Sequence, residues 1–328
     1  MIESQVNLTY KIKATEDQKM EMLEYYNGYL NYNASDYIIA RAKLAAATIT
    51  FYKTNVVLFQ GIGASKEYSI WAKKYDLPIS DTIEEYQEDY STLSAIGSDE
   101  VGTGDYFGPI VVCATYVSSD KINQLKQMGV KDSKLLTDKQ MIPLALKIKE
   151  IIPHSIIMIR PDRINKLNKT HSNINFLKAY LHNRVINSIL KKVKNVKYDA
   201  ILIDQFTPRK NYFDYLKDQK NVVKNVTLIP KGESVHIAIA AASVLARVAF
   251  IAEVKKLSNK YDIHLLKGAG REVDKTAISF VKSNGWDNLA NVAKLKWANT
   301  KRIYQYFKEN PLPPSRKGNF DNFKLSTN

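Results

Sequence analysis

The chain has a single cysteine, Cys113, among 328 residues. One thiol excludes an intramolecular disulfide framework and a cysteine-rich zinc site. It lies in the apolar run Pro109-Ile110-Val111-Val112-Cys113-Ala114, a setting for a buried, inert thiol rather than a nucleophile. Histidine is scarce too. His154, His171, His182, His236 and His264 show no metal-ligand spacing, and each is expected at the surface or as a satisfied core group. Residues 1–20 lack the apolar centre of an export signal. The longest apolar stretch, Ile237 to Ala252, is interrupted by Arg247 and is too short to span a bilayer. These absences predict a cytoplasmic protein in a reducing environment.

Basic residues are missing from Asp76 to Ala95, which holds six acids, whereas residues 1–75 hold nine Lys/Arg against seven Asp/Glu. With a net charge of +15 overall, the remainder, 96–328, carries +19. A lysine-rich solvated surface accounts for part of this. A surplus of that size on one domain also suits a polyanion, because phosphate neutralisation supplies most non-specific nucleic-acid affinity.

The length predicts two domains. In residues 1–75, Val6 to Ile12 alternates with period two, and Glu16 to Tyr32 has apolar residues at helical spacing. Tyr37 to Leu44, Ala47 to Tyr52 and Val56 to Gln60 are β-rich, with a hairpin expected at Lys53-Thr54-Asn55. Lys66 to Tyr75 closes this small α+β unit as a helix. Residues 76–95 are expected to form an acidic linker, partly helical around Glu84 to Tyr90.

Strands are then expected over Leu93 to Ser98, Gly108 to Val117, Ser155 to Arg160, Ala200 to Ile203 and Val226 to Ile229. Helices are expected over Ser172 to Val193, Glu233 to Leu257, Val273 to Ser283 and Ala290 to Phe307. This order predicts an α/β domain with a mixed sheet over 96–310 and a poorly ordered tail over 311–328.

Four carboxylates stand out. Asp99 and Glu100 close an apolar strand and are followed at once by Gly102 and Gly104, which let backbone approach a ligand. On a regular strand the two acids face opposite sides; at a bent strand end both can turn to one site. Taken alone, the segment is equally an acidic turn. Asp204 follows the apolar Ala200-Ile201-Leu202-Ile203, where an acid is costly unless a cation or hydrogen bonds hold it, although a helix N-cap would also explain it. Glu233 opens a helix rich in alanine, which predicts close helix–sheet packing, and the helix dipole favours an acid there whatever its function. Together the four suit hard cations, Mg²⁺ or Mn²⁺. Two such ions roughly 4 Å apart can activate water and stabilise a leaving phosphodiester oxygen.

Residues 98–109 resemble the signature of type 2 ribonucleases H, and the Gly-Thr-Gly-Asp-Tyr-Phe-Gly-Pro form over 102–109 resembles that of the HIII branch. The resemblance continues through residues 129–134, 173–175, His182-Asn183, Ile203-Asp204, Lys231-Gly232-Glu233, 240–243, Lys267-Gly268-Ala269-Gly270 and Ala298-Asn299-Thr300, in the family's order across 96–300. It implies a ribonuclease H-like catalytic domain in which Asp99, Glu100, Asp204 and Glu233 form the metal-binding quartet. It also implies endonucleolytic cleavage of the RNA strand of RNA–DNA hybrids, leaving 5′-phosphate and 3′-hydroxyl ends. Gly102-Thr103-Gly104 stands where the HII branch typically has Gly-Arg-Gly, the loop that touches the RNA 2′-hydroxyl. The missing arginine weighs against efficient cutting at a lone ribonucleotide in duplex DNA.

Lys134 resembles a phosphate-contacting lysine, and Lys231 can serve similarly. The resemblance also implies that residues 1–75 form a TATA-binding-protein-like domain that helps hold the hybrid, with Arg41, Lys43, Tyr52 and Lys53 as its candidate contacts. No obligate protein partner is evident, and a monomer is the default. The competing readings are incision at single ribonucleotides and a non-catalytic hybrid-binding protein.

Overall fold

The computed structural model describes residues 9–32, 38–77, 90–130, 136–167 and 173–312. Most of the acidic stretch, Lys134, His171 and the tail past residue 312 lie outside them. The chain divides into two compact units, Met1–Glu88 and Asp89–Asn328.

In the first unit, β1 (Thr9–Lys13), β2 (Leu30–Asn31), β3 (Ile38–Lys43), β4 (Thr48–Tyr52) and β5 (Val56–Gln60) form an antiparallel sheet in the order β1-β5-β4-β3-β2. Helices α1 (Glu16–Tyr25) and α2 (Ala64–Lys74) bury Met22, Leu23, Tyr68 and Trp71 with Tyr10, Ile12, Ile49, Phe51, Val57 and Phe59 of the sheet. Thr15 caps α1 reciprocally with Gln18, as a threonine three residues before a glutamine predicts. The helix ends well short of the expected Tyr32. Tyr26 turns into the core, where its hydroxyl donates to Glu67 at 2.7 Å and accepts from Trp71 Nε1 at 3.0 Å, and Asn27-Gly28 then break the helical run.

The second unit is built on a mixed sheet of β6 (Ala95–Val101), β7 (Ile110–Val117), β8 (His154–Ile159), β9 (Ala200–Asp204) and β10 (Thr227–Ile229). Its order is β10-β9-β6-β7-β8; the β10–β9 and β9–β6 pairs are parallel, and the β6–β7 and β7–β8 pairs antiparallel. Helices α3 (Ser119–Gln127), α4 (Asp138–Ile151), α5 (Pro161–Asn165), α6 (Ile174–Lys192), α7 (Arg209–Leu216), α8 (Gly232–Val235), α9 (Ile237–Tyr261), α10 (Arg271–Asn284), α11 (Trp286–Val292) and α12 (Ala298–Glu309) flank it. Strand β7 is buried on both faces: Val112 and Ala114 join one core with α6, while Val111 and Cys113 join the other with α9. A doubly covered strand therefore reads as a continuous apolar run.

Helices α3, α4, α5 and α7 form in segments for which the local pattern predicts no element. Strand β6 runs three residues past the expected Ser98, so Asp99 and Glu100 sit within a regular strand, paired with Cys113 and Val112, and not at a bent end. The expected helix from Glu233 is broken at His236, whose extended backbone separates α8 from α9; its Nδ1 accepts the Ala238 N–H and its Nε2 faces the Leu93 carbonyl. The expected helix over 290–307 is likewise interrupted between α11 and α12, where Lys294 N–H donates to the Tyr106 carbonyl and Ala293 bridges to Phe107. Helix α9 reaches Tyr261, so it is long and apolar enough to cross a membrane, contrary to the length expected from Ile237 to Ala252; it is instead mostly buried as the core helix. Its alanines do pack tightly. A Cβ at Gly97 would lie 2.3 Å from Ile239 N and 2.4 Å from Ala238 C.

Candidate active site

Strand alternation places Gly97 and Asp99 on the α9 face of the sheet and Ser98 and Glu100 on the α6 face. Parallel pairing aligns Ser98 with Ile203, so Asp99 and Asp204 stand side by side at the carboxyl ends of adjacent strands. Ile229 of β10 pairs with Asp204, and the chain then turns through Lys231 in a left-handed conformation (φ +53°) into α8. That turn brings the Gly232 N–H to Asp204 Oδ1 at 2.7 Å and sets Glu233 near enough for its carboxyl to act on that of Asp204. A Cβ at Gly232 would meet the Ile239 side chain at 2.6 Å, so the close approach depends on glycine. Asp99, Asp204 and Glu233 thus lie near one another where three parallel strands end, the edge at which α/β sheets gather ligands, and Glu100 follows Asp99 on the other face of β6.

Their electrostatics differ. Burial raises the Asp99 pKa well above the ordinary carboxylate range, and the neighbouring charges of Glu100 and Asp204 raise it further; hydrogen bonds from Ser243 and the Glu100 N–H oppose the shift. Asp204 is pushed up to about 7, chiefly by burial; the Gly232 N–H opposes this, and the charges of Glu233 and Glu100 add to it. Burial acts on Glu100 in the same direction, but there the cations of α6 win and hold its pKa below the ordinary value. His182 Nε2 contacts Glu100 Oε2 at 2.8 Å, and Lys178 Nζ pairs with Glu100 Oε1.

The imidazole is fixed from behind by Ser98. The Ser98 hydroxyl donates to the Cys113 carbonyl at 3.0 Å and lies 2.7 Å from His182 Nδ1. His182 is fully buried with both ring nitrogens partnered, the satisfied core role expected of it, and one of its partners is a candidate site carboxylate.

Among the described residues, no three His, Cys, Asp or Glu side chains converge as a ready metal cage. The reason is visible in the contacts: Glu100 is drawn to α6, Asp99 to Ser243, and Asp204 to Gly232 and Glu233. The donor set itself, neighbouring carboxylates of which Asp99 and Asp204 are driven toward protonation by burial and nearby charge, fits a hard divalent cation.

Gly102, Thr103 and Gly104 follow β6 as a loop held from the C-terminal segment. Gly102 has φ +97°, and a Cβ there would lie 2.2 Å from the Pro109 carbonyl oxygen. Trp297 Nε1 donates to the Thr103 carbonyl at 3.1 Å, and Gly268 N–H donates to Asp105 Oδ1. The buried Lys294 ammonium donates to the carbonyls of Phe107 and Gly108 at 3.2 and 2.7 Å. Burial lowers its pKa to about 7, against the attraction of Asp105. Gly104 is exposed with open space around it.

Lys231 is exposed one residue before Gly232, Lys134 falls outside the described residues, and the hairpin residue Lys53 is exposed. Arg41, Lys43 and Tyr52 belong to the first unit. There β3 pairs Arg41 with Thr50 and Lys43 with Thr48, on the sheet face opposite α1 and α2. Lys11 and Lys13, which the local pattern does not single out, alternate with buried Tyr10 and Ile12 and share that face. Lys178 and Lys294 likewise carry no local mark in the sequence, because each acts on a residue far away in the chain.

Residues 96–300 match the ribonuclease HII family, and residues 10–82 match a domain of unknown function, DUF3378. Ribonuclease HIII of Enterococcus faecalis is 39% identical over 295 residues, covering 89% of this chain and 96% of the relative. Ribonuclease HIII of Geobacillus sp. is 39% identical over 302 residues, covering 91% and 98%. The crystal structure of Bst-RNase HIII in complex with Mn²⁺ superposes with a TM-score of 0.65 at 35% identity, covering 92% of this chain and 99% of that one. The ribonuclease H2 of Pyrococcus horikoshii shares the fold, with a TM-score of 0.53 at 23% identity over 66% of this chain and 100% of that one. With its carboxylates gathered at the strand ends and relatives matched over nearly their whole length, the chain belongs to the ribonuclease HII family, among its ribonuclease HIII members.

Proposed function

We infer that this protein cleaves the RNA strand of RNA–DNA hybrids endonucleolytically, leaving 5′-phosphate and 3′-hydroxyl ends, with Asp99, Glu100, Asp204 and Glu233 as its catalytic carboxylates. The observation that carries the reading is the proximity of Asp99, Asp204 and Glu233 from β6, β9 and α8, with Glu100 next along β6 and with Asp99 and Asp204 held above their ordinary pKa. They would hold two divalent ions, Mg²⁺ or Mn²⁺, which when bound supply the charge that activates water and stabilises the departing 3′-oxygen. The Mn²⁺ complex of Bst-RNase HIII supports that choice.

This chain's own residues prepare the site. Ser243 and the Glu100 N–H orient Asp99, and the Gly232 N–H orients Asp204. The Gly102-Thr103-Gly104 loop offers its backbone to the 2′-hydroxyl, the group that separates RNA from DNA. Lys231 and Lys134 contact phosphates. In the first unit, residues 1–75 act as a TATA-binding-protein-like substrate holder, with Arg41, Lys43 and Tyr52 contacting the hybrid through the uncovered sheet face. The acidic residues 76–95 serve as the link between the two domains.

The test is a gel of end-labelled RNA annealed to DNA, incubated with protein in Mg²⁺, Mn²⁺ or EDTA, beside a DNA duplex carrying one ribonucleotide. Metal-dependent internal cuts in the hybrid, with the second substrate largely spared, are expected. Efficient incision at the single ribonucleotide would replace the hybrid specificity, and no cleavage of either substrate would leave a hybrid-binding protein.

A further inference from the structure

Glu100 is held by two basic side chains, Lys178 and His182, and both come from one helix. Lys178 and His182 lie four residues apart on α6, so they project from the same face and reach opposite oxygens of the Glu100 carboxylate. Among the described residues, no cation pairs with Asp99 or Asp204. The Lys178 side chain is 12% exposed and that of Glu100 9%, so the pair is screened from water far more than a surface salt bridge. Lys178 Nζ also sits 4.3 Å from the centroid of the Phe206 ring, two residues beyond Asp204. Phe206 in turn stacks on His182 at 5.4 Å. The ammonium is therefore held between the Glu100 carboxylate and the face of the Phe206 ring.

An ammonium on Glu100 Oε1 blocks that oxygen to any other cation, and it accounts for the absence of a ready cage among the described residues. His182 is anchored by Ser98 and cannot move without breaking that bond. Lys178 carries its ammonium on a long stem with several rotatable bonds, and that ammonium contacts Glu100 and the Phe206 ring face.

We propose that Lys178 is a tethered place-holder: it neutralises Glu100 while the metal is absent and gives up that carboxylate when the divalent cation binds. The proposal rests on the reading of Glu100 as a metal ligand. Lys178 thereby sets the metal affinity, since the cation must displace a bonded ammonium. It also keeps the buried carboxylates from repelling one another in the metal-free fold.

The experiment titrates Mn²⁺ into the full chain without nucleic acid, following free Mn²⁺ by electron paramagnetic resonance, for the unaltered protein, K178M, K178R and E100Q. Methionine keeps a long side chain against Phe206 but removes the charge. K178M is expected to bind Mn²⁺ about tenfold or more tightly, the scale of one charge-assisted hydrogen bond. K178R is expected to stay close to the unaltered protein, and E100Q to bind more weakly. K178Q supplies the same reading should K178M fail to fold. Weakened binding in E100Q with unchanged or weaker binding in K178M would overturn the place-holder and leave the metal site standing. Unchanged Mn²⁺ binding in E100Q would sink the Glu100 assignment, and the place-holder with it. A raised KM for the hybrid in K178M at unchanged Mn²⁺ affinity would instead make Lys178 a substrate contact.

Discussion

The Lys294 ammonium donates to the Gly108 carbonyl at 2.7 Å, across 186 residues of sequence, and so braces the loop that carries Gly102, Thr103 and Gly104 from below. The bond is made by a fully buried lysine whose pKa falls to about 7, mainly because burial disfavours its charge. Between that value and the ordinary 10.5 the unfolded chain binds more protons than the folded one, so this group makes stability rise with pH over that window. Urea unfolding at pH 7, 8.5 and 9.5 should show the unaltered protein gaining on K294M, by at most about 1.4 kcal/mol per pH unit. A parallel pH profile for the two would remove Lys294 as the cause. K294M should also cut kcat/KM about 10–100-fold, the usual effect of removing a support behind a site.

Gly97→Ala tests the helix–sheet contact. The added methyl would meet the backbone of Ala238 and Ile239 rather than a side-chain tip, so α9 must move as a body. The expected destabilisation is at the upper end of the roughly 1–3 kcal/mol typical of overpacked cores, read from the denaturant midpoint. Activity should fall with it, because Asp99 lies two residues further along the same strand face.

Asp204→Asn keeps the shape of the side chain and its bond from Gly232 but removes a charge from the quartet. Cleavage of the hybrid should drop by more than about 100-fold, beyond what removal of an outer support gives. Binding of the uncleaved hybrid, measured by fluorescence anisotropy, should survive or improve, since one negative charge facing phosphate is gone. Unchanged cleavage would remove Asp204 from the site.

Proton linkage sets the pH dependence of metal binding. Asp204 titrates near 7 in the metal-free protein, and Asp99 is raised as well. A cation must displace these protons, so affinity falls with falling pH below about 7, by about tenfold per unit for each proton displaced. Calorimetry of Mn²⁺ at pH 6, 7 and 8 in buffers of different ionisation enthalpy would count the protons directly; zero release at pH 6 would contradict the raised values.

The basic face of the first unit predicts a salt effect. Replacing Lys11, Lys13, Arg41 and Lys43 together with alanine should weaken hybrid binding and make its salt dependence shallower, by about 0.9 in the log–log slope for each phosphate that is no longer neutralised. Each of the four side chains is exposed, so thermal stability should hardly change. An unaltered slope would show that this face does not meet the phosphates.

Much of the architecture is legible in the chain because it is written in local periodicity. The doubly buried β7, the parallel strand before Asp204, the hairpin at 53–55 and the alanine-rich packing of α9 each follow from residues adjacent in sequence. The four carboxylates are legible for the same reason: an acid placed at the end of an apolar strand, or at a helix start, is costly enough to be conspicuous. What tertiary structure alone decided is how those acids are held. Whether Asp99 and Glu100 share a face depended on how far β6 continues, which its pairing with β7 settles. Lys178 and His182 look like ordinary residues of a long helix until that helix lies on the sheet and brings His182 to an acid 82 residues earlier. Lys294 reads as one more surface lysine until the break between α11 and α12 buries it against the glycine loop. Side-chain periodicity is a property of near neighbours, whereas the charge balance of a site is summed over distance in space, and only the folded chain fixes those distances.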